Sequence, residues 1–180
     1  MPVYLDLADL KRATKADETD SFEFLVINQE NAESLASMNQ TYSRRLKGTH
    51  NAGSGYYSYA VALDGKIIGD IWCATHMNVK RDPIHPDLDM LGITCGDNEA
   101  YMFDMHVAPD SRGKVVTGYL LRSALHHLKE SGFDRAYGFY EKNNLPALWT
   151  HRLFGYKELA NRKVTQVLLY KKTEVLASRS

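Results

Sequence analysis

One stretch of the sequence, Ala100 to Phe133, constrains the fold more than any other. It begins with an apolar run, Tyr101 to Val107, that has the length and the residue types of a buried β-strand. After a short basic connection, apolar residues recur at helical spacing, which predicts a long amphipathic helix with Gly132 as its C-terminal cap. A strand that turns through basic and glycine residues into a helix forms an anion site, because the first N–H groups of a helix have no intrahelical partners.

Two short motifs within and after this stretch resemble those of the GNAT superfamily, the acyl-CoA-dependent N-acyltransferases. The first is V-x-P-x-x-R-G-K at residues 107–114, followed by the pair Leu120-Leu121, and it is similar to the family's pyrophosphate-binding segment. The second is N-x-x-A at residues 144–147, followed by L-F-G-Y at residues 153–156, and it is similar to a helix of the family. The two motifs stand in the family's order and at its spacing.

The predicted elements outside the two motifs have the order that the resemblance implies. Strands are predicted at residues 21–27, 56–63, 66–75, 101–107 and 135–141, and a strand or hairpin over 157–171. Helices are predicted at about 32–46, from about residue 116 to Gly132, and from Asn143-Asn144 to Gly155. The order β-α-β-β-β-α-β-α-β is typical of an α/β (α+β) fold, and the resemblance implies a GNAT-like mixed, mostly antiparallel central sheet flanked by helices.

The length of 180 residues predicts a single GNAT-like domain over residues 1–180. Residues 1–20 begin with alternating apolar side chains and then become polar, so we expect either an extra helix or a loosely held extension. Residues 48–55 have the composition of a flexible loop. Residues 76–98 show no periodicity, and a connection of this length is usually functional or disordered. The resemblance implies that it is either a substrate-binding wall or a passive surface loop.

Charge and cysteine content exclude several classes of function. The chain has 22 Lys and Arg against 22 Asp and Glu, and this balance argues against a nucleic-acid partner, which would favour a basic patch. The cysteines, Cys73 and Cys95, lack the C-x-x-C spacing of a zinc or redox site, so we expect reduced thiols. No apolar stretch has the length of a signal peptide or a membrane span, so we expect a soluble, cytoplasmic protein without a membrane partner.

The resemblance also implies which residues bind the cofactor. The segment from Arg112 to Gly118 would hold the pyrophosphate through backbone N–H groups, with Arg112 and Lys114 adding positive charge. The central strand would pair with the amides of pantetheine, and Asn144 would contact the cofactor or its sulfur. The alternative for the basic turn is an ordinary helix N-terminus at the surface. The predicted cofactor-binding set is Met105, His106, Val107, Arg112, Gly113, Lys114, Val115, Val116, Thr117, Gly118, Asn144 and Ala147.

The basic turn departs from the family's pattern, which is usually R/Q-x-x-G-x-G/A. Val115 and Thr117 stand where the family has small residues. Branching at Cβ would crowd the phosphates, unless Gly113 or Gly118 absorbs the strain. A donor without the adenosine diphosphate part, such as the phosphopantetheine of an acyl-carrier protein, therefore remains open.

Three residues are predicted to transfer protons: Asp104, His151 and Glu99. The family commonly has a tyrosine seven residues after the motif asparagine, and here that position is His151, which can donate a proton near neutral pH. Asp104 and Glu99 lie on or just before the central strand, where the family often has a carboxylate base, and burial would raise the pKa of Asp104. The alternatives are an ordinary helix residue for His151, and for Asp104 a carboxylate satisfied by the backbone, Arg or Lys.

The resemblance implies an N-acyltransferase in which the amine attacks the thioester directly, since neither cysteine lies in a recognisable nucleophile setting. We expect acetyl-CoA or another acyl-CoA as the donor, a primary amine of a small molecule or a protein as the acceptor, and no metal. Two alternatives remain open: a longer-chain acyltransferase that uses acyl-CoA or acyl-carrier protein, and an inactive GNAT-fold ligand-binding or interaction module. Predicted strand edges near the C-terminus are compatible with a homodimer.

Overall fold

A mixed, mostly antiparallel sheet of seven strands forms the centre of the computed structural model, which describes residues 1–10, 21–33, 42–112, 115–167 and 170–176. The strands are β1 (Pro2–Asp6), β2 (Glu23–Ile27), β3 (Tyr57–Leu63), β4 (Lys66–Ala74), β5 (Glu99–Val107), β6 (Arg135–Phe139) and β7 (Lys157–Glu158). Their order across the sheet is β2-β3-β4-β5-β6-β1-β7. The pair β5 and β6 is parallel, and the other pairs of this sheet are antiparallel, which confirms the predicted mixed, mostly antiparallel sheet.

Four helices and a separate hairpin complete the described part of the chain. The helices are α1 (Tyr42–Gly53), α2 (Asp87–Leu91), α3 (Val116–Glu130) and α4 (Leu145–Phe154). The hairpin consists of β8 (Arg162–Val167) and β9 (Tyr170–Val175), which pair with each other in a second sheet. The predicted C-terminal strand or hairpin is therefore present, but it does not extend the central sheet.

The long helix α3 covers one face of the sheet. Leu120, Ala124 and Leu128 recur at helical spacing and are completely buried against strand residues such as Val61 and Cys73. Burying a leucine side chain contributes about 1.5–3 kcal/mol to stability, so this stripe anchors the helix firmly. The helix ends as predicted, with Gly132 at a φ of +87° just beyond it.

The segment 76–98 packs on the opposite face of the sheet. Val79, Ile84 and Leu88 are buried in a second core together with Trp72 and Tyr101. The segment is therefore not a passive surface loop. The segment contains one short helix, α2, between irregular turns that bury apolar residues one at a time. Its apolar residues therefore show no helical or strand periodicity.

The N-terminal prediction of an extra helix or a loose extension is wrong for residues 1–10. Strand β1 lies between β6 and β7, and Val3 and Leu5 are buried in the core below α3. The alternation of these apolar residues is the pattern of a strand with one buried face. The polar residues 11–20, which suggested a loose extension, lie outside the described residues.

The end of helix α1 differs from the prediction, whereas the turn between β3 and β4 agrees with it. Helix α1 continues to Gly53 through the predicted flexible loop, because Asn51 and Ala52 are buried against the sheet. Of the helix predicted at 32–46, residues 34–41 lie outside the described residues. The predicted hairpin turn at Asp64-Gly65 is confirmed, and both residues have the positive φ that a two-residue turn of type I′ requires.

Candidate active site

The central cavity opens where two parallel strands separate. Strands β5 and β6 pair only from Glu99 to Tyr101, and beyond this point β5 continues to Val107 without β6 beside it. The cavity has a volume of about 670 Å³ and is lined by the second half of β5, the end of β6 and residues of α3 and α4. This volume lies in the range of sites that bind small molecules and cofactors.

A β-bulge lies in β5 at the side of this cavity. In the antiparallel pair with β4, His106 is opposite Asp70 and Phe103 is opposite Trp72, so that two residues of β5 face one residue of β4. Asp104 belongs to the bulge and has a φ of +51°, in the left-handed region that a non-glycine residue rarely adopts. A bulge bends its strand, and here it lies in the part of β5 that has left β6.

Asp104, predicted to transfer protons, lines the cavity, and both of its carboxylate oxygens are bonded to cations. Oδ2 accepts a hydrogen bond from Nη1 of Arg44 at 3.2 Å, and Oδ1 accepts one from Nζ of Lys47 at 2.8 Å. The hydrogen bonds of this carboxylate thus go to Arg and Lys, which is one of the alternatives that the sequence left open for Asp104. An ionised carboxylate has about four acceptor sites, so lone pairs remain for a ligand.

Sequence reasoning missed the second acid beside the bulge, Asp70. Its side chain is buried and forms an ion pair with Arg44. Burial raises the pKa of Asp70 to about 6, although the guanidinium of Arg44 acts in the opposite direction. The available signal was an acid within the apolar run of β4, the same kind of signal that marked Asp104.

His151 lies on α4 at the edge of the cavity, half-buried between two tyrosine rings. Its Nδ1 donates a hydrogen bond to the carbonyl oxygen of Ala147 at 2.7 Å, because a carbonyl can only accept. Burial lowers the pKa of His151, so the neutral ring is favoured near pH 7. In this neutral form Nε2 carries no proton, and His151 offers the cavity an acceptor rather than an acid.

Tyr156 and Tyr140 also line the cavity and flank His151, with ring centroids 4.9 and 5.3 Å from the imidazole. The hydroxyl of Tyr140 donates to Oε1 of Glu158 at 3.0 Å. That of Tyr156 has only a weak contact, 4.0 Å, with the sulfur of Met102. Burial raises the pKa of the Tyr156 hydroxyl, which therefore keeps its proton at neutral pH. Tyr156 is therefore a second candidate acid. The sequence identifies it only as the last residue of the L-F-G-Y motif and gives it no role in proton transfer.

Asn144 and Ala147 lie together at the start of α4, as predicted, and both line the cavity. Asn144 is the N-cap, and its Oδ1 accepts a hydrogen bond from the N–H of Ala147 at 3.2 Å. The cap uses the carbonyl end of the side chain, so its NH₂ group is the part that remains for a cofactor.

The basic turn between β5 and α3 is described except for Gly113 and Lys114. Arg112 lines the cavity, and its Nε donates a hydrogen bond to the carbonyl oxygen of Val107 at 3.1 Å. The guanidinium has four other N–H groups, and no hydrogen bond from them to a described residue is seen. Arg112 is exposed, so a ligand at the mouth of the cavity can reach it.

The first turn of α3 contains the remaining predicted phosphate-binding residues. Val115 is the N-cap with a φ of −64°, so its backbone carries no left-handed strain, and its side chain is 40% exposed. Val116 is completely buried and does not line the cavity. Thr117 lines the cavity, and open space surrounds the Cα of Gly118.

Helix α3 approaches β4 closely at this turn because of Gly69. A Cβ at residue 69 would lie 3.3 Å from Cγ1 of Val116 and 3.4 Å from the carbonyl oxygen of His106. Both separations are tighter than ordinary side-chain contacts. A residue without a side chain therefore lets the basic turn sit against the bulged end of β5.

A family model of the acetyltransferase (GNAT) family matches residues 17–156, which is most of the chain. The chain belongs to the GNAT acetyltransferase family. This confirms the family, the fold class and the enzyme class, a GNAT-type N-acetyltransferase, that the sequence predicts. No curated protein matches the GNAT chain by sequence.

Solved structures of other N-acetyltransferases share this fold. A glucosamine N-acetyltransferase region of a fungal GH3 β-N-acetylglucosaminidase is 19% identical, with a TM-score of 0.62 over 87% of this chain and 19% of that chain. Aminoglycoside acetyltransferase AAC(6′)-Iy, in complex with a CoA-containing bisubstrate analogue, is 16% identical, with a TM-score of 0.53 over 84% and 97%. The ribosomal-protein-S18-alanine N-acetyltransferase of Escherichia coli is 14% identical, with a TM-score of 0.54 over 77% and 79%. At these identities the likeness shows the fold alone.

Several of the predicted residues do not line the cavity of this GNAT domain: Val115, Val116 and Gly118 at the start of α3, and Glu99 and His106 of β5. Glu99 begins β5, about 16 Å from Asp104 in an extended strand, and it binds Arg135, Tyr137 and the N–H of Gly96. Glu99, one of the three residues predicted to transfer protons, therefore lies outside the cavity that Asp104 lines. His106 is opposite Asp70, on the face away from the cavity, whereas Met105 and Val107 line it. Burial, and then the nearby Arg44, lower the pKa of His106.

Within the described ranges of the GNAT chain, no three His, Cys, Asp or Glu side chains are grouped as metal ligands. None of the helices described above combines the length and the apolar character needed to cross a membrane. Cys73 and Cys95 are both free and buried.

Proposed function

We propose that this GNAT protein transfers an acetyl group from acetyl-CoA to a primary amine of a small molecule or a protein. The observation that carries the proposal is the cavity between the separated ends of β5 and β6, with the basic turn before α3 at its mouth. Pantetheine occupies the gap between the strands and pairs with free backbone groups of β5. The pyrophosphate binds at the start of α3, where N–H groups without helical partners and Arg112 favour an anion.

The acetyl group is transferred by direct attack of the amine on the thioester, without a covalent enzyme intermediate. The lone pair of the amine attacks the thioester carbonyl carbon, the C–N bond forms, and the C–S bond breaks with the electron pair going to sulfur. The amine loses a proton, and the CoA thiolate gains one. We place the proton donor for the thiolate at Tyr156, whose hydroxyl is protonated at neutral pH, and His151 is the alternative donor in its doubly protonated form.

Asp104 is the proposed contact for the acceptor amine. Its carboxylate lines the cavity at the bulge and keeps free lone pairs besides those used by Arg44 and Lys47. It accepts an N–H of the amine directly or through one water molecule, which orients the nitrogen lone pair toward the thioester. Glu99 is not part of this proposal, because it lies outside the cavity.

A second donor, the acylated phosphopantetheine of a carrier protein, is favoured by one observation. The outer face of α4, opposite the residues that line the cavity, exposes a row of large apolar side chains at helical spacing: Leu145 (58% exposed), Trp149 (64%) and Leu153 (82%). Such a row beside the mouth of the cavity provides a surface for a protein that delivers its prosthetic group. Val115 would not crowd this donor, which lacks the adenosine diphosphate part.

Isothermal titration with acetyl-CoA and then with free CoA tests the proposal, followed by an amine screen that detects the released thiol. Binding of both ligands and amine-dependent thiol release support it. Acetyl-CoA that binds but is turned over with no amine would show a ligand-binding module instead. Absence of CoA binding, together with activity on acylated carrier protein, would favour the second donor.

A further inference from the structure

The bulge in β5 is held from outside the sheet by one side chain of α1. Arg44 forms an ion pair with Asp70 of β4 and donates a hydrogen bond from Nη1 to Oδ2 of Asp104 at 3.2 Å. Its Nη2 also lies 3.4 Å from the backbone carbonyl oxygen of Asp104. One guanidinium thus contacts both strands of the bulged pair, and in β5 it contacts side chain and backbone alike.

These contacts are shielded from water to different degrees. The side chains of Arg44 and Asp70 are 12% and 5% exposed, whereas Lys47, the other cation on Asp104, is 53% exposed. Ion pairs at the surface are weak and fluctuating, but a buried pair fixes geometry, because each charge would be costly to leave alone. Arg44 and Asp70 therefore hold the bulge, and Lys47 supplements them.

The bulge needs such support because of its backbone. Asp104 has a φ of +51°, which side chains disfavour, and β5 has no β6 beside it at this point. Without Arg44, the strand would have less reason to keep this conformation. The two residues that follow Asp104 on the cavity face and line it, Met105 and Val107, would then lose their defined position.

We propose that Arg44 and Asp70 are positioning residues for acyl transfer, which hold the β5 bulge so that its backbone presents the thioester to the amine. This inference rests on the proposed function. Neither residue touches the reacting atoms: Arg44 and Asp70 do not line the cavity, and both act through Asp104. Loss of the pair lowers kcat more than it weakens cofactor binding, since the basic turn at Arg112 is separate from it.

The pair also gives the rate a pH dependence. The charged and titratable groups that face Asp70 are Arg44 and Lys47 of α1 and Asp104 and His106 of β5. Burial raises the pKa of Asp70 to about 6, so this carboxyl becomes protonated when the pH falls below that value. Protonation removes the charge that holds Arg44, and the rate of the wild-type protein falls as the pH is lowered through about 6.

The experiment compares the wild type with Asp70→Asn, Arg44→Gln and Arg44→Lys. It measures acetyl-CoA Kd, kcat against pH, and melting temperature. A matched control is Arg135→Gln, which also removes an arginine bonded to two carboxylates, Asp6 and Glu99, but far from the bulge. We expect kcat to fall at least tenfold in Asp70→Asn and Arg44→Gln, with Kd changed by less than about threefold. Arg44→Lys keeps a charge but cannot bridge both carboxylates, and its kcat lies in between.

The pH profile separates positioning from a purely structural role. We expect Asp70→Asn to lose the acidic limb of the wild-type profile, whereas the control keeps that limb and the wild-type kcat. Wild-type kcat in folded Asp70→Asn, or the same loss of kcat in the control, overturns the positioning role while the proposed function stands. A wild-type protein that neither binds acetyl-CoA nor acylated carrier protein overturns both. Where Arg44→Gln does not fold, Asp70→Asn and Arg44→Lys still decide the matter.

Discussion

Nδ1 of His151 donates its proton to the carbonyl oxygen of Ala147, four residues earlier in α4, at a distance of 2.7 Å. This hydrogen bond fixes which nitrogen of the neutral ring is protonated. The family's usual tyrosine carries a hydroxyl proton at this position, whereas neutral His151 presents an unprotonated Nε2. The substitution therefore changes the proton chemistry of the cavity and not only its shape.

The first prediction concerns the acid that protonates the thiolate. Tyr156→Phe should lower kcat by about 10²-fold at pH 8, in the range of general acid catalysis, whereas His151→Gln should lower it less than tenfold. The reason is that burial lowers the pKa of His151, so the doubly protonated ring becomes rarer as the pH rises above that lowered value. Steady-state kinetics from pH 5.5 to 9 would measure this.

Tyr137→Phe is the control for this pair, because Tyr137 is also a buried tyrosine with a hydrogen-bonded hydroxyl but lies outside the cavity. If His151→Gln is the slower variant at pH 8 and Tyr156→Phe resembles the control, the acid is His151.

The second prediction concerns the basic turn. Arg112→Ala should raise the Kd of acetyl-CoA about tenfold, as expected for the loss of charge-assisted hydrogen bonds to phosphate. Isothermal titration at two salt concentrations measures it, and the difference from wild type should shrink at high salt. Arg81→Ala removes an exposed arginine elsewhere and should leave Kd unchanged. An unaltered Kd in Arg112→Ala would refute the phosphate assignment.

The third prediction concerns Val115. Val115→Gly should lower the Kd of acetyl-CoA if the exposed branched side chain crowds the phosphates. Glycine is well tolerated at an N-cap, so the fold should not suffer. Val115→Ala is the matched intermediate, since it removes the branch and keeps Cβ. Equal or weaker binding of the glycine variant would show that crowding is absent.

The fourth prediction separates two roles of Asn144. Asn144→Ala should lower the free energy of unfolding by about 1 kcal/mol, because the N-cap bond to Ala147 is lost. Asn144→Asp keeps a capping oxygen and should retain stability, but it lacks the NH₂ group and should still bind acetyl-CoA more weakly. Denaturant unfolding and titration measure the two effects. An aspartate variant with wild-type affinity would limit Asn144 to capping.

Local patterns predicted the elements whose stability is local. The α3 stripe, the Asp64-Gly65 turn and the Asn144 cap each follow from residues within a few positions of one another, and all three are present. Strand β1 could not be recognised in this way, because its neighbours β6 and β7 lie more than a hundred residues away in sequence. Its apolar alternation is short, and the polar residues that follow it favour a helix or a loose extension instead.

The candidate site shows the same division. Arg112 and Thr117 of the first motif region and Asn144 and Ala147 of the second do line one cavity, because the motifs are tied to the ends of particular helices. Arg44 and Asp70 were missed because their contact depends on the register of β4 with β5 and on the position of α1, which spacing does not encode. Glu99 and Asp104 were both predicted on or next to the central strand, but β5 is long enough to separate them, and Asp104 lines the cavity whereas Glu99 does not.

Because Gly69 has no side chain, it sets how close the start of α3 lies to the end of β5. The start of α3 rests on it, and its partner across the sheet is Val107, where β5 ends. The gap between the turn proposed for the pyrophosphate and the bulge proposed for the thioester is therefore set at a residue that would touch neither group. The covalent chain of pantetheine limits the distance between the phosphates and the sulfur of the cofactor. A methyl group at residue 69 would therefore change the spacing of the two ends of the site, which the cofactor must span, while leaving each end intact.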